Sequence, residues 1–196
     1  MAVNQGPSTG STPTTAEGSA ASHATEDRET VSLGVAVLTV SDTRGPENDT
    51  SGTFLAEAAA AAGHRIVARE LVRDDIYAIR AVLSGWIVDT GVNAVLVTGG
   101  TGFAGRDSTP EAVVPLFDKQ VEGFGEVFRA LSLQEIGSST VQSRAVAGLA
   151  NRTVVFCMPG STGACRTAWE GVIRDQLDSA HRPCNFVEVL LGKTSA

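Results

Sequence analysis

The chain has 196 residues, with 15 Lys+Arg against 22 Asp+Glu, a formal charge of −7 and a hydrophobic content of 42%. That balance suits one folded domain with a tail and excludes a fully disordered chain. The net negative charge speaks against nucleic acid as the main partner, and no apolar run approaches the ~18 residues of a membrane span.

Residues 1–30 contain ten Ser or Thr, and Met1 and Val3 are their only large apolar residues. Such a segment buries too little surface to offset its ordering entropy. A disordered low-complexity tail is therefore expected over 1–30, and one domain over 31–192. The tail lacks the basic-then-apolar pattern of a secretory signal, so cytoplasm is the expected location. Cys157, Cys165 and Cys184 are odd in number and lack CxxC spacing, and the three histidines lie far apart. Neither a disulfide framework nor a structural zinc site is expected.

Residues 33–40 (LGVAVLTV) are a β-branched apolar run, as in a buried parallel strand. Residues 50–62 are alanine-rich and helical, closed by Gly63. A second strand is predicted over 64–72, a helix over 76–89 and a buried strand over 92–98. The Thr109-Pro110-Glu111 string marks a helix start, with the Thr109 hydroxyl as cap, and that helix runs to about residue 117. Residues 123–136 read as helical again, with Phe124, Val127, Phe128 and Leu131 on one side. Strands over 145–150 and 153–158 are joined by Asn151-Arg152, a turn too short for a crossover, so they pair antiparallel. A helix over 162–177 containing Trp169 and Ile173 follows, and then a VEVLL stretch of no assigned role. This alternation predicts an α/β fold, a three-layer α/β/α sandwich around a mostly parallel sheet with one antiparallel edge strand.

Ligands of open α/β sheets sit at the carboxyl ends of the strands. Those ends carry Ser41 and Asp42, then Asp74 and Asp75, then Gly99-Gly100-Thr101-Gly102 with Asp107, then Pro159-Gly160-Ser161. Glycine, hydroxyl and carboxylate together suit a phosphate-bearing ligand with a divalent cation. The string Gly100-x-Gly102-x-x-Gly105 resembles a dinucleotide fingerprint, but it follows the third strand and its helix starts only near Pro110, so that context fails. A glycine loop offering amides to an anion remains, beside the plainer reading of a tight turn. Asp42, Asp49 and Asp75 also fit as helix caps. Asp107 lies two residues before the expected cap, where capping does not explain it. Asp74 fits a turn as well as a metal. Two acids on different loops suit Mg2+, which takes one or two carboxylates plus substrate phosphates.

The blocks LTVSDTR, DTSG, TGGTG followed by RDSTPEA, VEGFGEVFR, STVQSRAVAG, MPGSTGACRTAWE and RPCNF, over about residues 33–188, resemble the MogA/MoaB family of molybdenum cofactor biosynthesis, the last four its B branch. The resemblance implies a molybdopterin-binding fold and an adenylyltransferase that uses ATP and Mg2+ to place AMP on molybdopterin, releasing pyrophosphate. It implies Asp74 and Asp107 as catalytic, metal-holding carboxylates. Gly99, Gly100, Thr101 and Gly102 would cradle the pterin phosphate, with Thr109 and Pro110 of the same block among the binding residues. Ser41 and Asp42 would line the pocket, with Asp49 and Ser51 nearby, and Ser143, Pro159, Gly160 and Ser161 would close it. It also implies a homotrimer or hexamer. One departure is Arg73, which stands where the family usually has proline. Because the B branch includes members lacking a catalytic carboxylate, the alternative is a non-catalytic or weakly active molybdopterin-binding paralogue.

Overall fold

A computed structural model describes residues 1–2 and 30–192. The tail expected over 1–30 lies, from residue 3 to residue 29, outside the described residues. In chain order the fold comprises β1 (Gly34–Val40), α1 (Thr50–Ala61), β2 (Arg65–Val72), α2 (Ile76–Val88), β3 (Ala94–Thr98), α3 (Thr109–Val113), β4 (Lys119–Gln120), α4 (Glu122–Ile136), β5 (Val146–Ala150), β6 (Thr153–Met158), α5 (Thr162–Ala168), α6 (Arg174–Leu177) and α7 (Val187–Leu190). A π-helical turn over Trp169–Ile173 joins α5 to α6, so the helix expected over 162–177 is interrupted inside rather than regular.

Among the described residues six strands form one sheet in the order β2-β1-β3-β6-β5-β4. β1, β2, β3 and β6 are parallel, and β5 runs against β6, as the short Asn151-Arg152 turn requires. The two-residue β4 extends that edge; it is too short for any alternation to betray it in the sequence. Successive residues of each inner strand face opposite sides. Val35, Val37, Leu96, Phe156 and Met158 pack with α1, α4 and α5, while Ala36, Leu38, Val95, Val97 and Cys157 pack with Ile79 and Leu83 of α2 and with α3. Each of these larger side chains contributes about 1.5–3 kcal/mol by burial. Phe124, Phe128, Phe156 and Phe186 form an aromatic chain through the first core.

One local expectation is corrected, and one unassigned stretch gains a role. Val127 is 47% exposed and does not share the buried face of α4 with Phe124 and Phe128. The VEVLL stretch is structural: Val187 and Leu190 of α7 complete the first core. Cys157 and Cys165 are buried free thiols and Cys184 is an exposed one. Among the described residues no helix is long and apolar enough to cross a membrane.

At the end of the sheet opposite the strands' carboxyl ends, the Leu33 N–H donates to Nδ1 of buried His64 (3.4 Å) and the Val31 N–H donates to Ser179 Oγ (3.0 Å). Burial lowers the His64 pKa, against the opposing pull of Asp178. The unfolded chain then takes up this proton at about pH 6.5, before the folded chain does. Stability is full above that value and falls as the pH drops toward the folded pKa. The urea midpoint of the wild type should therefore decline more between pH 7.5 and pH 5 than that of His64→Gln; equal slopes would show that His64 is not the group responsible.

Candidate functional site

The carboxyl ends of the parallel strands surround a cleft of about 510 Å³. Its walls include Ser41, Asp42, Asp74, Gly99, Gly100, Thr101, Gly102, Asp107, Ser143, Pro159 and Gly160. The topology explains the gathering: β1, β3 and β6 are adjacent and parallel, so their following loops emerge side by side. Thr109, Pro110 and Ser161 do not line it. Ser161 is turned to the cap of α5, where its hydroxyl accepts the Ala164 N–H at 3.2 Å. Thr109 is fully buried and donates its hydroxyl to the Gly99 carbonyl (2.8 Å), bracing the loop from behind. Pro110 sits in the first turn of α3.

Thr109 is also not the helix cap. Helix α3 starts at Thr109, after Ser108, and the Ser108 side chain makes no capping bond. Its hydroxyl and N–H both donate to Asp74 Oδ1, at 2.6 and 3.0 Å, because Asp74 reaches across from the loop after β2. The Asp74 N–H in turn donates to Asp42 Oδ1 (3.3 Å), and Asp42 Oδ2 pairs with Arg106 Nε at 3.0 Å. Asp42 is thus a bridge between loops and not a cap.

Asp75 and Asp49 do cap helices. Asp75 accepts from the Tyr77 and Ala78 N–H groups at the start of α2. Asp49 accepts the Gly52 N–H (2.9 Å), the Thr39 hydroxyl (2.8 Å) and Arg69 Nη2 (2.9 Å). Burial pushes its pKa up, but the Gly52, Arg69 and Thr39 bonds outweigh burial and hold it below the usual value. It anchors the start of α1 to β1 and β2 and has no place in the cleft wall.

The glycine loop is shaped by both ends. The Gly99 N–H donates to Met158 O (3.0 Å), and the Gly100 carbonyl accepts the Thr109 N–H (2.9 Å). The N–H groups of Gly100, Thr101 and Gly102 have no hydrogen-bond partner among the described residues. Successive unpaired amides in a cleft wall are anion-binding groups. Farther on, the Ala104 N–H donates to Asp107 Oδ2 at 2.7 Å, and the Asp107 N–H returns to Ala104 O at 2.9 Å.

Asp74 and Asp107 each keep one carboxylate oxygen without a hydrogen-bond partner among the described residues. Two hard oxygen donors on facing loops fit Mg2+ arriving with substrate phosphates. A closed protein cage is not present, since no group of three or more metal-binding side chains occurs among the described residues.

Arg144 ties this loop down. Its Nε donates to Thr101 O (3.3 Å), its Nη2 to Asp107 O (2.8 Å), its Nη1 to Glu111 Oε1, and its guanidinium lies 5.2 Å from the Phe103 ring centre. Arg144→Lys keeps the charge but loses the planar fork. Amide exchange over residues 101–108 should rise by about tenfold in that variant; unchanged exchange would remove Arg144 from the bracing of the loop.

The sequence reading missed Thr43, Arg44, Ser139 and Gln142, which line the cleft together with Arg106. Thr43 and Arg44 stand inside the LTVSDTR block and could have been taken with it. Ser139 and Gln142 belong to a 3-10 stretch (Gly137–Gln142) after α4, away from any strand end, and only the tertiary fold brings them in.

Residues 36–179 match the family described as "Probable molybdopterin binding domain". The chain is 60% identical over 152 residues, 78% of its own length and 89% of the relative's, to molybdenum cofactor biosynthesis protein B of Escherichia coli strain K12. A crystal structure of a molybdenum cofactor biosynthesis protein B superposes with a TM-score of 0.74 at 43% identity, covering 76% of this chain and 94% of that one. The tungsten cofactor synthesizing protein MoaB of Pyrococcus furiosus superposes at 0.66 with 40% identity, covering 72% and 90%.

Proposed function

The chain belongs to the molybdopterin-binding family of molybdenum cofactor biosynthesis, and we propose that within this biosynthesis it adenylylates molybdopterin with ATP. The observation that carries the reading is one cleft wall holding both the unpaired Gly100, Thr101 and Gly102 amides and the Asp74 and Asp107 carboxylates. The amides suit an attacking phosphate, and the carboxylates suit the cation of a triphosphate.

In this reading a phosphate oxygen of the pterin forms a bond to the α-phosphorus of ATP. The bond between the α-phosphorus and its bridging oxygen breaks, and pyrophosphate leaves with that electron pair. A phosphate nucleophile is already ionised at pH 7, so no side chain needs to act as base. The work of the chain is alignment of two polyanions. Gly100 to Gly102 orient the attacking phosphate through fixed dipoles. Ser108 and Asp42 hold Asp74 in place, and the Ala104 amide holds Asp107. Asp74 and Asp107 would hold Mg2+, which would offset the charge of the triphosphate.

Purified protein incubated with molybdopterin, ATP and Mg2+ should yield adenylylated pterin and pyrophosphate, resolved by chromatography. Pterin binding without product would favour the second reading, a binding paralogue. One observation supports that alternative: both donors of Ser108 engage Asp74 Oδ1, so Asp74 has a structural task independent of any metal. For assembly we propose a homotrimer or a pair of trimers, consistent with exposed Val127, Leu133, Ile136 and Val141 along and after α4. Sedimentation equilibrium reads that state directly, and a monomer would overturn it.

A further inference from the structure

We propose that Arg44 reads the terminal phosphate of the pterin substrate and sets the preference of the cleft for a phosphomonoester. This rests on the molybdopterin-binding reading of the same cleft, but not on its turnover.

Arg44 lies in the loop after β1 and lines the cleft. Its Nη1 is committed twice, to Ser51 Oγ at 2.7 Å and to the Gly160 carbonyl at 2.8 Å. The Ser51 hydroxyl donates to that same carbonyl at 2.6 Å, closing a triangle. Ser51 is fully buried at the start of α1, so the triangle is rooted in the core. Nε and Nη2 have no partner among the described residues. A guanidinium has five N–H groups, and two satisfy the triangle, which leaves three donors in a fixed plane.

The charges around it favour an anion at this place. Arg106, the other cationic side chain in the cleft wall, is paired with Asp42. Arg144 is spent on Thr101, Asp107 and Glu111. Arg44 has no carboxylate partner among the described residues. A planar guanidinium with open donors matches two oxygens of one phosphate.

Position separates Arg44 from the two acids. A Cβ built on Gly160 would lie 3.2 Å from Gly99 Cα and 3.9 Å from Arg44 Nη1, so Arg44 adjoins the first residue of the glycine loop. Asp74 and Asp107 stand against later residues: a Cβ on Gly100 would lie 2.5 Å from Asp74 Oδ2, and one on Gly102 would lie 2.7 Å from Asp107 Oδ2. The acids suit a triphosphate that brings its own cation. A phosphomonoester dianion brings none, and Arg44 supplies it.

The test is equilibrium binding by pterin fluorescence, without ATP or Mg2+, using molybdopterin and molybdopterin dephosphorylated by phosphatase. The wild type should bind the phosphorylated form at least about thirtyfold more tightly, on the scale of a fixed charge-assisted fork. Arg44→Gln should reduce that ratio to within about threefold by weakening only the phosphorylated form, and Arg44→Lys should fall between. The ratio is internal to each variant, so a general loosening that weakens both forms equally does not imitate the effect. An unchanged ratio in Arg44→Gln would overturn the proposal. A wild type that binds neither form would overturn both this proposal and the function it rests on. A wild type that shows the Arg44-dependent ratio but makes no adenylylated product would uphold this one while removing the adenylyltransferase.

Discussion

Asp107→Ala should abolish adenylylation, by at least about 10³-fold in kcat, which corresponds to about 4 kcal/mol of transition-state stabilisation. Pterin affinity measured by fluorescence should change by less than about threefold, because the mutation removes a group assigned to the triphosphate's cation and not to the pterin. The side chain is held by its own loop, with the Ala104 N–H on Oδ2 at 2.7 Å. Truncation frees that N–H, but Ala104 is exposed and water replaces the lost partner at little cost in stability. Asp107→Asn makes the sharper comparison. Asparagine retains a carbonyl oxygen for the Ala104 N–H and loses the negative charge. If charge is the contribution, Asn is as inactive as Ala. If Asn recovers most of the rate, the residue serves the loop's shape, and its placement on Mg2+ is wrong. Collapse of pterin binding in both variants would mean that Asp107 contacts the pterin.

The two acids differ in how far the sequence revealed them. Asp107 stood out because no cap position explains it, and the structure places it in the cleft wall. Asp74 was legible as a strand-end acid, but its bonds to Ser108 cross 34 positions of sequence. No local pattern encodes such a pair. The same limit applies to Thr109: Thr-Pro-Glu signals a helix start correctly, yet no hydroxyl caps it, because Asp74 draws Ser108 away and Thr109 turns to the Gly99 carbonyl. The fold was more legible than the site. Buried parallel strands announce themselves as β-branched runs, and the short turn at Asn151-Arg152 dictates antiparallel pairing. What escaped was short or nonlocal: the two residues of β4, the π-helical turn, and the return of Ser139 and Gln142 to the cleft. The packing of α7 escaped for a related reason, since four residues are too few to show helical periodicity.

The glycine loop offers a second large effect, because adjacent residues are constrained by different things. Gly99 has φ +103°, and a Cβ there would lie 2.0 Å from the Val40 carbonyl oxygen. That oxygen belongs to β1, and Gly99 is itself tied to Met158 O, so neither side can retreat. Gly99→Ala should cost more than about 3 kcal/mol, a large share of the ~5–15 kcal/mol that stabilises a typical domain. Urea unfolding would show it as a lowered midpoint or as failure to accumulate soluble protein. Gly100 has φ +62°, where an L-residue costs only about 1–2 kcal/mol. Its added Cβ would meet side-chain ends instead, Thr109 Oγ1 at 2.3 Å and Asp74 Oδ2 at 2.5 Å. Asp74 can move, away from the position the chemistry requires, while Thr109 yields only by giving up its bond to the Gly99 carbonyl. Gly100→Ala should therefore remain folded, with a Tm lower by only about 4–8 °C, and lose about 10²-fold in adenylylation rate. A Gly100→Ala protein with the wild-type rate would show that the position of Asp74 does not matter to turnover. A Gly99→Ala protein of wild-type stability would show that β1 and the loop yield to each other, and that the cleft is less rigid than its hydrogen bonds imply.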